Sequence, residues 1–236
     1  MSAKGPARRY MGMEQTTAPL IIVDGGIASL VALACASDEA VSLGSGRSVG
    51  PCALNWQPPV FGTSDRERGG AVERQSALFN AKKLTKSLRD EPLRQHHETG
   101  DSGQAATQIL FTALAHAEEI RSTRVVWPAH PGRASDDSAI DLDLASSIID
   151  RALLVEQLAK LDAGSNARPI TIETPHADLT DQQLVELAAD LAVPVKTLWW
   201  WGGSSDEAMR ERERWEPLIH DSGLTKLAER RTVASR

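Results

Sequence analysis

The stretch that most limits what this chain can fold into is PLIIVDGGI, Pro19 to Ile27, an unbroken apolar run ended by a carboxylate and two glycines. Residues 20–23 have no polar residue at alternate positions, which suits a strand buried on both faces. Residues 27–36 are again mostly apolar and read as a short helix. Both sides of the Asp24-Gly25-Gly26 turn therefore belong to a core.

The rest of the chain repeats this alternation. Residues 40–43 are predicted as a second strand, followed by a Gly-, Pro- and Ser-rich loop reaching Gly70. Helical spacing of Ala77, Leu78, Ala81, Leu84 and Leu88 places a helix over 71–88. Ile109, Leu110, Ala113, Leu114, Ala117 and Ile120 form a clearer stripe. Residues 124–127, stopped by Pro128, are a third strand. Residues 140–161 form a long amphipathic helix with Leu144, Ile148, Leu154, Leu158 and Leu161 on or near one face, and 169–173 a fourth strand. Thr180 and Gln183 have capping-box spacing, so a helix begins there with Leu184, Leu187, Ala188 and Leu191 inward. Pro194 ends it, and 195–199 is read as a fifth strand. Ser204 and Glu207 repeat the capping-box spacing ahead of a charged segment whose RERERW reads as a solvated helical face.

Strands alternating with helices of ten or more residues imply an α/β fold. We expect a Rossmann-like three-layer sandwich with a mainly parallel sheet of about five strands. Residues 1–16 are assigned to an N-terminal tail, 17–223 to a single domain and 224–236 to a C-terminal tail. In such sheets ligands sit beyond the carboxyl ends of the strands, near a switch in strand order. That places the DGG turn, the loop after Leu43, the segment WPAHPG (127–132) and Trp199-Trp200-Trp201 on one rim.

A formal net charge of −6 argues against direct nucleic-acid or membrane binding, both of which favour a basic surface. No apolar run approaches the length of a membrane span. Two cysteines, Cys35 and Cys52, make neither a disulfide framework nor a four-thiolate zinc site. The simplest compartment is the cytoplasm.

A strand, two glycines and a helix start offer unpaired N–H groups at the positive end of a helix dipole. Gly25 and Gly26 would admit a phosphate to the backbone, and Ser29 would add a hydroxyl donor. A turn that serves packing alone fits the glycines equally well. No Lys follows at Walker spacing, and the GxGxxG dinucleotide pattern is absent.

Taken in order, LIIVDGGIASLVAL, ILFTALAHAEEI and ITIETPHADLTDQQLVELAADLAVPVKTLWWWGG resemble the PP-loop ATP pyrophosphatases, and within them the 7-cyano-7-deazaguanine synthases. The resemblance implies a PP-loop (adenine nucleotide alpha hydrolase-like) fold. It also implies ATP with Mg at Gly25, Gly26 and Ser29, and adenylation of a carboxylate followed by amidation and nitrile formation on a deazapurine. The partner it implies is a small nucleotide or deazapurine ligand. Four departures stand out. Asp24 occupies the place of the family's first loop serine, Ala28 that of its aspartate, and Asp181 that of a usual lysine. The segment after Trp201 lacks the cysteines of the family's zinc knuckle, so no zinc is expected. Ala28 coordinates nothing, and Asp24 would cap the helix start where a phosphate needs to sit. The alternative to an ATP-dependent ligase is thus a catalytically lapsed relative acting as a binding or dimer partner. No catalytic residue is assigned.

Other candidates carry two readings each. The Trp cluster would stack a purine, or plug the space of the missing knuckle or line a dimer contact. His130 and His176, each just after a predicted strand, would touch a ligand or fix a loop. His96 and His97 fall in a polar linker. Asp136, Asp137, Asp141 and Asp143 would bind Mg or start a helix. Cys35 is read as a buried small residue of the helix after the turn.

Overall fold

The computed structural model describes residues 18–42, 50–55, 64–84, 102–132, 140–163 and 168–224. The expected N-terminal tail, His96, His97, Asp136 and Asp137 lie outside them. So does the C-terminal tail beyond Leu224, which is itself fully buried.

Five parallel strands form one sheet: β1 (Leu20–Val23), β2 (Cys52–Asn55), β3 (Lys82–Leu84), β4 (Arg124–Val126) and β5 (Thr171–Glu173). Their order is β3-β2-β1-β4-β5, with β1 paired to β2 on one side and β4 on the other. Six helices accompany them among the described residues: α1 (Ile27–Ser42), α2 (Ser64–Leu78), α3 (Ser102–Glu119), α4 (Leu142–Ala163), α5 (Asp181–Asp190) and α6 (Asp206–Asp221).

The unbroken apolar character of β1 has its cause in this order. Leu20 and Ile22 pack on α3 and α4, while Ile21 and Val23 pack on α1 and α2. Each such buried side chain contributes roughly 1.5–3 kcal/mol relative to exposure. Helices α5 and α6 add a further cluster outside α1, through Leu184, Val185, Ala188, Trp215 and Ile219. The chain steps from β1 out to β3 and returns beside β1 as β4. The switch in strand order therefore lies between β1 and β4, and the DGG turn opens there.

The α/β class and the five-stranded parallel sheet agree with the sequence, but two of the five strands do not. Residues 40–42 continue α1: SDEAVS contains no helix breaker, and the helix runs on. The second strand is Cys52–Asn55, inside the expected loop. Helix α2 starts seven residues before the predicted 71 and stops at Leu78, where Asn80 takes a positive φ of 50° and turns the chain into β3. Residues 195–199 add no strand. Val195–Thr197 is a 3-10 turn whose backbone bonds are local, Thr197 N–H to Pro194 O and Leu198 N–H to Val195 O.

Other expectations hold or shift in detail. The Thr180/Gln183 capping box is formed in both directions, at 3.2 and 2.9 Å. Helix α6 begins one residue later than expected, with Ser205 rather than Ser204 accepting from the Ala208 N–H. Helix α4 buries Ala145, Ile148, Ala152 and Val155, whereas Leu144, Leu154, Leu158 and Leu161 are exposed. Small and β-branched residues, not leucines, fit close against α3 and the sheet. Cys35 is exposed, on the outer side of α1. Asp141 starts α4 by accepting from the Leu144 N–H at 2.9 Å. Glu156 of α4 reaches the outer edge of β5 and accepts from the Ile172 N–H at 3.0 Å. Among the described residues, no helix is long and apolar enough to cross a membrane.

The link into α6 is tightly packed. A Cβ on Gly203 would lie 2.6 Å from the Ala208 Cβ and 3.0 Å from Glu67 Oε2, whereas one on Gly202 meets nothing within 4 Å. Gly203→Ala is expected to cost about 1–3 kcal/mol and Gly202→Ala less than about 0.5 kcal/mol, read as urea midpoints of the two variants.

Candidate functional site

The carboxyl-end rim around β1 and β4 holds two polar clusters. The first is the DGG turn. Gly25 adopts φ +81°, a left-handed conformation that L side chains rarely take, and a Cβ there would lie 3.0 Å from Ala71 Cβ and 3.2 Å from Arg68 O. Helix α2 is thus seated on the turn. The Gly25 carbonyl accepts from Gln75 Nε2 at 3.0 Å and from the Trp199 N–H at 3.1 Å.

Asp24 takes up two donors of the turn. Its Oδ1 accepts from the Gly26 N–H at 2.8 Å and from the Ser29 hydroxyl at 2.9 Å. Arg68 Nη1 stands 4.0 Å from its Oδ2, and the Arg68 guanidinium lies 3.8 Å over the Trp199 ring. The turn already contains an anion, its own. The bond to the Gly26 N–H, two residues on, makes an Asx-type turn ahead of α1, not a cap on the helix's own first amides. Gly25, Gly26 and Ser29 do come together, as the sequence implied, but Gly26 N–H and the Ser29 hydroxyl are engaged by Asp24. Ala28, beside them, has no polar side-chain atom. As arranged, these residues do not fit an ATP phosphate with its Mg: the phosphate would have to displace the Asp24 carboxylate and lie next to its charge.

Trp199 and Trp200 are 3% and 1% exposed, so their faces are core surface and closed to a purine. Trp201 is half-buried, its ring 5.8 Å from that of Trp200 and tilted by 39°. The turn they form is held from α6. Arg212 Nη2 donates to the carbonyls of Trp200, Trp201 and Gly203 at 2.9, 3.1 and 2.8 Å. Glu67 of α2 closes the other side by accepting from the Ser204 N–H and the Ser205 hydroxyl.

The second cluster lies after β4. Asp181, the first residue of α5, is buried and receives Arg214 Nε and Nη2 at 2.8 and 2.6 Å, a bidentate pair. His130 Nδ1 is 3.7 Å from the same carboxylate, and its ring sits 5.9 Å from Trp215. Burial pushes His130 below the ordinary histidine range, with Asp181 opposing. His176 is 2% exposed, and neither ring nitrogen has a hydrogen-bond partner among the described residues. Burial, helped by His130, pushes its pKa down to about 4, with the backbone at Ala28 and Pro175 opposing. With both pKa values lowered, the two imidazoles are neutral at pH 7. Among the described residues no group of three or more His, Cys, Asp or Glu is placed to hold a metal.

Four residues that organise the rim were not singled out in the sequence: Arg68, Gln75, Arg212 and Arg214. The last two come from the RERERW segment expected to be solvated. The hint was Asp181, an acid at a helix start whose charge needed a partner once buried. A cavity of about 390 Å³ lies away from this rim, between α3, α4 and the approach to β5, lined by Phe111, Leu114, Lys160, Arg168 and Ile170 among others.

His176 has a thermodynamic signature. The unfolded chain takes up its proton near pH 6.5, the folded one only near 4, so between those values the unfolded state binds more protons. Stability therefore falls as the pH drops from about 6.5 towards 4, by up to roughly 3 kcal/mol at 1.4 kcal/mol per pH unit. His176→Leu should lose less stability than the wild type over that window, measured by urea unfolding at several pH values.

The chain matches no family model, and no curated protein matches it. Among solved structures it is similar to the U34-tRNA thiolase NcsA from Methanococcus maripaludis with its 4Fe-4S cluster. That likeness covers 89% of this chain and 71% of the other, at 14% sequence identity and a TM-score of 0.45.

Proposed function

We propose that this chain is a PP-loop-type α/β protein whose nucleotide loop is closed from within, and that it acts as a non-catalytic binding partner and not as an ATP-dependent ligase. The observation that carries the reading is Asp24. Its carboxylate accepts from the Gly26 N–H and the Ser29 hydroxyl, the donors that the family resemblance would assign to ATP. Support for the PP-loop part comes from a glycine turn that follows the central strand at the switch in strand order, and from the TPHADLTDQQLVELAADLAVPVKTLWW segment. Deazapurine nitrile formation would need those donors free for ATP and a polar residue at position 28. An added negative charge about 4 Å from a phosphate costs on the order of 1–4 kcal/mol, depending on the effective dielectric.

Calorimetric titration of Mg·ATP into the wild type and into the Asp24→Ser, Ala28→Asp double variant tests both halves. We expect no heat of binding from the wild type and measurable binding by the variant. Micromolar binding by the wild type would overturn the closed-loop reading, and AMP release with a deazapurine carboxylate would then be the assay to run. Silence from both proteins would sink the PP-loop part and leave DGG a packing turn.

A further inference from the structure

Helix α6 closes over the loop that leaves β4, and the closure is made at His130. The His130 ring lies 5.9 Å from that of Trp215, and only 7% of its side chain is exposed. Arg214 crosses the same loop two residues on. Gly132 takes φ +79°, and a Cβ there would lie 2.9 Å from Arg214 Nη2. From that position the guanidinium reaches Asp181 of α5 with two bonds, at 2.8 and 2.6 Å.

This seat suits a neutral imidazole and not a charged one. His130 Nε2 is buried with no hydrogen-bond partner among the described residues, so the charged ring would hold a buried N–H without an acceptor. Nδ1 is 3.7 Å from Asp181 Oδ1, beyond bonding distance, and that oxygen already accepts from Arg214 Nη2. The charged and titratable groups that face the ring are Asp181 of α5, Arg214 of α6 and His176 of the loop after β5. Behind them, Glu211 of α6 accepts from Trp215 Nε1 at 2.7 Å and acts on Arg214, and Asp178 acts on His176. Helix α1, which meets His176 through the Ala28 backbone, has no charged residue from Ile27 to Ser37. Once α6 lifts away, water reaches the His130 ring, Arg214 is removed from it, and the Asp181 carboxylate is left to pair with it. Proton uptake and departure of the helix therefore favour each other.

We propose that α6 is an acid-released latch: proton uptake at His130 loosens the helix from the loop after β4 while the rest of the fold stays closed. Release also reaches the glycine turn. Arg212 of α6 holds the carbonyls of Trp200, Trp201 and Gly203, and the neighbouring Trp199 N–H donates to the Gly25 carbonyl. With α6 docked, burial pushes His130 below the ordinary histidine range, Arg214 adding to the fall while Asp181 and the backbone at Thr180 and Leu179 oppose it. With α6 released, the ring takes its proton near the ordinary 6.5. The released state thus binds more protons, and it gains on the docked one as the pH drops through that value.

Native-state hydrogen exchange of the full chain, corrected for intrinsic rates, tests the latch between about pH 7.5 and about 5.5. The opening constant of the α6 amides is expected to rise several-fold over that range, towards a limit of about tenfold set by one exposed histidine. At the lower pH it should exceed that of the α3 amides, and in a folded His130→Gln variant the rise should vanish. One opening constant shared by α6 and α3 at the lower pH would mean that the whole fold opens, and overturns the proposal. An α6 opening constant that ignores pH overturns it as well, as does a rise that survives in His130→Gln. The first two outcomes are read on the wild type alone and do not depend on the variant folding.

Discussion

The close approach of α2 and the tryptophan turn to Gly25 is the constraint from which the rest of the rim follows. One carbonyl oxygen takes a side-chain donor from α2 and a backbone donor from Trp199, while the missing Cβ leaves room for Ala71. Through this one residue the central strand, the first two helices and the C-terminal third of the described chain are joined. Any side chain at position 25 would meet Ala71 and the Arg68 carbonyl and would also strain the φ of +81°. The glycine is demanded by packing whatever else the turn does, so its presence alone says little about phosphate.

Polar contacts replace hydrophobic ones where the C-terminal helix docks. Helix α6 buries Ala208, Trp215 and Ile219, a small apolar contribution for sixteen residues. Arg212 and Arg214 supply what the apolar face lacks, the first by collecting three carbonyls of the tryptophan turn and the second by pairing with buried Asp181. This bidentate pair, with Asp181 5% and Arg214 32% exposed, is not in itself a large source of stability, because desolvation, above all of the carboxylate, opposes it. It does make the docking position-specific, since the buried Asp181 carboxylate left alone there would be costly.

The parts of the fold legible in the sequence are those written in neighbouring residues. Leu20–Val23 could only be a strand buried on both sides, and Thr180 with Gln183 announced a helix start to the residue. Cys52–Asn55 was not legible because CALN has no β-branched residue and no alternation. Its strand character comes from pairing with β1 and β3. Residues 195–199 misled in the opposite sense, being strand-like in composition yet without a strand to pair with. The candidate site divides in the same way. The carboxylate of Asp24, five residues from Ser29, was visible as an obstacle to phosphate. Arg68, Gln75 and Arg214 act on partners tens of residues away, and no local pattern reports that.

The bond from Glu156 to the Ile172 amide has a consequence for behaviour at high concentration. Ile172 lies on an edge strand, where a free amide facing outward is a template for adding a strand from another molecule. The helix places a carboxylate oxygen on that amide and takes its donor out of use. The opposite edge, β3, carries exposed Lys82 and Lys83, the latter paired with Glu73 at 3.0 Å, and charged side chains on an edge disfavour pairing with an identical strand. Each margin of the sheet thus carries a device that works against the addition of a strand from a second molecule.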